Sequence, residues 1–235
     1  MLRYAELIEK SKSLNLGFHL EKVKKDVEDF NNSLRMSNHL YPWSLKFEEA
    51  TILYNLIYLN NLKTGFEIAT GFGVSSLCIG QALRFTGGKL VSMDAYVEEL
   101  LGYNHYNKDT NQTKKNSDGY IIATKMAEAI KVAENIEFRI GWSPVDTHKI
   151  ITSVHGSKPL DFVFIDGGHS SEQILLDVVS VISRLEKENA LIMFHDHGTV
   201  CNTSKQIIKD FGFTKFKDYK TEFAFVAYAK GNIKI

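Results

Sequence analysis

Two short stretches of this chain bring together residue types that suit proton or metal chemistry. The first, LDFVFIDGGHSSEQ over 160–173, is an apolar run ending on Asp166, then two glycines, then His169 just before a helix-like segment. The second, NALIMFHD over 189–196, is another apolar run; it ends on His195 and Asp196, with His197 next. A carboxylate at the tip of a buried strand, followed by a flexible turn, faces the crevice where open α/β sheets bind ligands. If the two strands are neighbours, about 5 Å apart, Asp166 and Asp196 point into one space flanked by His169, His195 and His197. Hard carboxylate oxygens with an imidazole suit a divalent cation held by Asp166, Asp196 and His195. Such a cation would grip a substrate hydroxyl and lower its pKa. The metal-free alternative makes His169 the general base, since an imidazole titrates at about 6.5. The plainer alternative is helix capping, by Ser170 or Ser171 for the helix opening at Glu172 and by Asp196 or Asn202 for the last one.

A third constellation lies earlier. FEIATGFGVSSL, 66–77, joins a strand to a helix through Gly71 and Gly73, which allow a tight turn and close approach of a ligand to the backbone. The helix start beyond them, with Ser75 in it, offers free N–H groups and a positive dipole end. Asp94 ends the next strand, 21 residues after Gly73, where a carboxylate can accept both hydroxyls of a ribose. The combination points to a nucleoside cofactor. Ser76 could complete a dinucleotide pattern, which keeps an NAD-dependent oxidoreductase as an alternative. Glu67, inside the strand, argues against a pyrophosphate and for a cofactor with a cationic sulfonium and an amino group.

The elements that must position these residues alternate. From residue 65, strand-like runs GFEIAT, GKLVSMD, IEFRI, PLDFVFID and NALIMFHD are separated by the helical segments VSSLCIGQALRF, YIIATKMAEAIKVA and SEQILLDVVSVISRL. Such alternation implies parallel strands with helices on both faces. The tail FGFTKFKDYKTEFAFVAYAK has two strand-like runs without a crossover helix, so an antiparallel hairpin should close the sheet edge. The expected fold is α/β: a doubly wound, seven-stranded, mostly parallel sheet over 47–235, with an N-terminal helical extension over 1–46. In that extension Val23, Val27, Phe30 and Leu34 share one helix face, and YPWS with Pro42 breaks the pattern. FEEATILYNLIYLNNL then reads as a further helix. Tyr41 and Trp43 anchor the extension, cover the site or mediate a homodimer. The polar insertion at 95–118 is long enough to be a lid or a surface loop.

Composition narrows the function. The chain has 235 residues, 44% hydrophobic and 24% charged, with 28 basic and 28 acidic residues and no net charge. A nucleic-acid partner is disfavoured without a basic excess. The two cysteines, Cys78 and Cys201, have no metal-finger spacing and read as reduced thiols of a cytoplasmic protein. No 18-residue apolar run suggests a membrane span. There is no GxxxxGK[ST] loop, no HExxH, no GxSxG and no [DNS]PP[YFW] tetrapeptide. His19, His39, His105, His148 and His155 read as surface residues.

Together, FEIATGFGVSSL, LVSMDA and FVFIDGGHSSEQILLDVVSVI with NALIMFHD resemble the class I S-adenosylmethionine-dependent methyltransferases. Over about residues 48–230 they look most like the small-molecule O-methyltransferase branch with an "IDG-x-H" turn after the fourth strand. The resemblance implies that Glu67, Gly71 and Gly73 line the methionine end of S-adenosylmethionine, with Ala69 and Ser75 also among the cofactor-binding residues. It implies that Asp94 binds the ribose, that Gly141, Trp142 and Ser143 lie near the adenine, and that Asp166 sits beside the transferred methyl. It also implies a magnesium-type ion at the tips of strands four and five, and a small-molecule acceptor such as a sugar or phenol. Two departures stand out. Ala69 replaces a usual glycine, and Trp142 replaces an acidic residue that commonly holds the adenine amine. They leave a non-catalytic module of the same fold as a further alternative. The paired acids usual after the fifth strand are here His195 and Asp196, so a third carboxylate is missing.

Overall fold

The computed structural model describes residues 45–96, 118–185, 188–196 and 200–235. The expected helical extension up to residue 44, most of the 95–118 insertion and His197 lie outside the described residues. Helix α1 (Phe47–Leu59) leads into β1 (Thr64–Ile68), α2 (Val74–Thr86) and β2 (Lys89–Asp94). Then come α3 (Asp118–Ala129), β3 (Ile136–Ile140), α4 (Thr147–His155) and β4 (Phe162–Ile165). The chain closes with α5 (Ser171–Ile182), β5 (Ala190–Phe194), α6 (Asn202–Asp210), β6 (Lys215–Asp218) and β7 (Val226–Lys230).

The strands form one seven-stranded sheet in the order β3-β2-β1-β4-β5-β7-β6. The first five pair in parallel; β7 lies antiparallel between β5 and β6. The expected fold class and terminal hairpin are therefore what the chain adopts. Side chains alternate across the pleat, so each strand feeds two cores. Phe162, Phe164, Leu191 and Met193 face one, with Leu53, Leu77, Leu83 and Met126 from α1, α2 and α3. Val163, Ile165, Ile192 and Phe194 face the other, with Ile151, Val178 and Ile208 from α4, α5 and α6. Burial on both faces explains why β4 and β5 read as unbroken apolar runs.

The sequence reading did not identify α4. Its segment, THKIITSVH, is short and rich in β-branched residues, a composition that pulls toward strand; tertiary packing of Ile150 and Ile151 overrides that preference. His155 at its end is a correction to the surface assignment. It is buried, and its Nε2 lies 3.1 Å from the Gly65 carbonyl, which fits a donated N–H. Cys78 and Cys201 are free thiols. Among the described residues no helix is long and apolar enough to cross a membrane.

Candidate active site

The site forms along one row of strand tips. Just beyond the ladder, the Ala69 N–H donates to the Met93 carbonyl at 2.8 Å. The Asp166 N–H donates to Ile68 and the His195 N–H to Ile165, each at 3.1 Å. Parallel pairing thus lines up Asp94, Ala69, Asp166 and His195 at the carboxyl edge. The strand order reverses between β1 and β4, so this row spans the switch point where such sheets bind ligands.

On the β1–β2 side, Gly71 and Gly73 have φ of +53° and +87°, and Gly73 starts α2. A side chain on Gly71 would project into open space, which leaves room for a ligand against the backbone. Asp94 holds this turn in place. One carboxylate oxygen accepts from the Gly71 N–H at 2.8 Å and the other from the Tyr96 N–H at 2.6 Å. Each oxygen keeps a second lone-pair direction for a ribose hydroxyl. Burial raises the Asp94 carboxyl, against the backbone bonds that favour its charge. Ala69 adopts φ of +72°, a left-handed conformation that explains why glycine suits this position in the resembled family.

Glu67 is fully buried in β1. Burial pushes its carboxyl up to about 7, although the surrounding Ser75, Ser76 and Ser92 hydroxyls favour its charge. One oxygen takes the Ser76 and Ser92 hydroxyls; the other, Oε1, is buried and has no partner within hydrogen-bond geometry among the described residues. A buried carboxylate oxygen left unpaired is costly and is poised for a cationic or N–H-bearing ligand group.

After β3, Trp142 is 46% exposed. Ser143 is turned toward the protein: its hydroxyl donates to Asp177 of α5. The Gln173 amide donates to Asp177 at 2.8 Å and to the Ser143 carbonyl at 3.2 Å. This network ties the loop after β3 to the helix after β4. The Ser143 hydroxyl also accepts from Thr147 at 3.4 Å and so keeps one acceptor direction for an adenine, while the half-exposed Trp142 indole offers a face for stacking.

The β4–β5 tips carry the charged cluster. His195 Nδ1 lies 3.0 Å from Asp166 and 3.4 Å from Asp196, and His169 Nδ1 lies 3.7 Å from Asp196. One donor atom each from Asp166, His195 and Asp196 lie within 4.8 Å of one another, a spacing that fits a divalent cation. Ser170 caps α5 by accepting from the Gln173 N–H, as anticipated. Asp196 does not cap α6. It sits at φ of +53° and its N–H donates to the Phe223 carbonyl at 2.9 Å, while Cys201 occupies the cap position of α6.

Against this geometry, the family model for a methyltransferase domain matches residues 66–197, more than half of the chain and every strand tip just described. The chain belongs to the methyltransferase-domain family. No curated protein sequence matches it. Its fold is similar to that of an O-methyltransferase from Bacillus cereus in complex with SAH, at 16% identity and a TM-score of 0.60 over 91% of this chain and 90% of that one. It is also similar to TomG, an O-methyltransferase of tomaymycin synthesis from Streptomyces achromogenes in complex with SAM. There the identity is 17% and the TM-score 0.56, with the same coverage. A putative caffeoyl-CoA O-methyltransferase from Staphylococcus aureus aligns at 14% identity and a TM-score of 0.56, over 95% and 100% of the two chains. Family membership displaces the dinucleotide-oxidoreductase alternative.

In this methyltransferase domain the sequence reading missed Glu49. The residue lies on α1, is fully buried, and its Oε2 is 3.0 Å from His195 Nε2. A third carboxylate, which the sequence reading held to be missing, is thus present, but on the far side of the imidazole and outside the Asp166, His195 and Asp196 group. Burial disfavours the charged ring. Hydrogen bonds to Asp166, Asp196 and Glu49, with the charge of Asp166, outweigh it and push His195 up to about 12. Burial likewise opposes the Glu49 carboxylate, but the His195 bond and charge hold it below the ordinary range. Burial raises Asp166, against its bond to His195. Three carboxylates around one imidazolium leave excess negative charge at the tips. This setting favours the protonated form of His195 and makes it a poor proton acceptor, and its Nδ1 must lose a proton before it can ligate a cation. Its position in FEEA gave no signal beyond that of an acid in the first turn of a helix.

Proposed function

We propose that this protein transfers the methyl group of S-adenosylmethionine to a hydroxyl of a small molecule of sugar or phenol type. The observation that carries the reading is the unpaired, buried Oε1 of Glu67, set beside an open two-glycine turn and the Asp94 carboxylate. A pocket with one buried acid and one ribose-competent acid suits a nucleoside bearing positive charge. Glu67 with Gly71, Gly73 and Ser75 would hold the methionine end, Asp94 the ribose, and Trp142 with Ser143 the adenine. When bound, the cofactor would supply an electrophilic methyl group, and the resemblance would put Asp166 on that side of it.

On the acceptor side, Asp166, Asp196 and His195 would hold a Mg2+-type cation, which supplies Lewis acidity toward a hydroxyl. The residues of the chain do the rest. Asp166 and Asp196 stand together at the carboxyl ends of the paired strands β4 and β5, and the excess negative charge favours a cation there. His169, the exposed imidazole beside Asp196, is positioned to take the hydroxyl proton and pass it to solvent. The geometry favours His169 over His195 as base: both ring nitrogens of His195 face carboxylates, which favours its protonated form, whereas His169 is exposed.

The test is methyl transfer from labelled S-adenosylmethionine to a panel of hydroxylated acceptors, with and without EDTA, for wild type and His169→Ala. Loss on chelation, restored by magnesium, supports the cation. Activity that survives chelation while His169→Ala abolishes it removes the cation and leaves the histidine as base.

A further inference from the structure

We infer that Glu49 is a positioning residue for the site: its carboxylate fixes the His195 ring so that Nδ1 faces Asp166 and Asp196. For its catalytic consequence the inference rests on the methyl-transfer reading above. Four contacts converge on this one side chain. Glu49 Oε2 accepts the His195 Nε2–H at 3.0 Å and the Lys46 N–H at 3.0 Å. Glu49 Oε1 accepts the Phe223 N–H at 3.4 Å, and the Thr221 hydroxyl also bonds to this carboxylate. The acid therefore joins the start of α1, the connection between β6 and β7, and the tip of β5.

A helix-capping role alone accounts only for the Lys46 contact, and a capping acid does not need to be buried. Glu49 is fully buried, and the side chain of His195 is only 7% exposed. Placing two such groups out of water is costly unless the geometry is satisfied on both sides of the ring. Here both ring nitrogens are satisfied, Nε2 by Glu49 and Nδ1 by Asp166 and Asp196. The Phe223 ring lies 5.8 Å from the imidazole and closes one side of it. With Nε2 committed to Glu49, a ring flip would break a buried charge-assisted hydrogen bond, so one orientation holds. An acceptor or a cation at the β4–β5 tips then always meets the same edge of His195.

The test reads the imidazole directly, by long-range 1H–15N NMR of the full chain, with the His195 signals assigned by their loss in His195→Gln. Wild type should show two slowly exchanging ring N–H protons. Glu49→Leu should lose the protected Nε2–H. Glu49→Gln, which keeps an acceptor oxygen without the charge, should retain it and move it upfield while Nδ1–H stays. In the transfer assay Glu49→Leu should lower kcat by roughly tenfold to a hundredfold with little change in KM for the cofactor; Glu49→Gln should recover part of that loss. An unchanged His195 spectrum in Glu49→Gln overturns the inference even if Glu49→Leu fails to fold. The spectrum needs neither cofactor nor acceptor, so the placement of Glu49 is judged separately from the methyl-transfer reading, which falls if wild type does not bind S-adenosylmethionine.

Discussion

At the scale of the residue, two departures from ordinary chemistry make testable statements. Ala69 holds φ of +72°, where a Cβ costs about 1–2 kcal/mol. Glycine would relieve that strain but lose more entropy on folding, so Ala69→Gly should stabilise the chain by roughly 0.5 kcal/mol in urea unfolding. A destabilised variant would mean that the methyl group packs usefully. Glu67 has its carboxyl raised from 4.5 to about 7. Between those values the folded chain holds a proton that the unfolded chain has released, so stability falls as pH rises through that window. Glu67→Gln should flatten that part of the Tm–pH profile; an unaltered slope would show that Glu67 is ionised throughout. Binding of a cationic cofactor should strengthen over the same window as Glu67 ionises. Asp94, Asp166, Asp196 and His195 were legible in the sequence because each follows an apolar run. Glu49 was not, because 146 residues of chain separate it from His195 and only the folded sheet brings them together.

At the scale of the element, the strands and most helices were legible because both signals are local. The β-runs are apolar and bounded by turn residues, and Gly73 and Ser170 mark helix starts. Helix α4 was not legible, because its β-branched residues favour strand and only packing makes it helical. Ser143 was placed correctly after β3, but its hydroxyl is bonded to Asp177, whose position on α5 no local pattern reveals. The junction of α2 and α3 supplies a prediction. A Cβ on Gly73 would lie 2.7 Å from the Ala123 Cβ, at φ of +87°. Backbone strain and overpacking together should make Gly73→Ala destabilising by about 2–4 kcal/mol, measured by chemical denaturation. A change under about 0.5 kcal/mol, typical of a tolerant surface site, would show that α3 moves freely away from the turn.

At the scale of the whole molecule, the doubly wound sheet brings four strand tips to one edge: a half on β1 and β2 with the two-glycine turn and Asp94, and a charged half on β4 and β5. The hairpin of β6 and β7 and helix α1 meet behind the charged half at Glu49. Fold class was readable because alternation and two-sided burial are global properties of the pattern. If the charged half takes a cation, ligation displaces the proton on His195 Nδ1, so cation affinity should rise with pH and uptake should release protons, seen as buffer-dependent heats. Affinity independent of pH would exclude His195 as a ligand. The central claim is that the β1–β2 half binds S-adenosylmethionine, and isothermal titration of the purified chain with that cofactor tests it most directly. The account predicts saturable micromolar binding that is lost in Glu67→Gln or Asp94→Ala. No binding to the folded wild-type chain, with or without magnesium, would contradict it and leave a methyltransferase-family fold without the proposed activity.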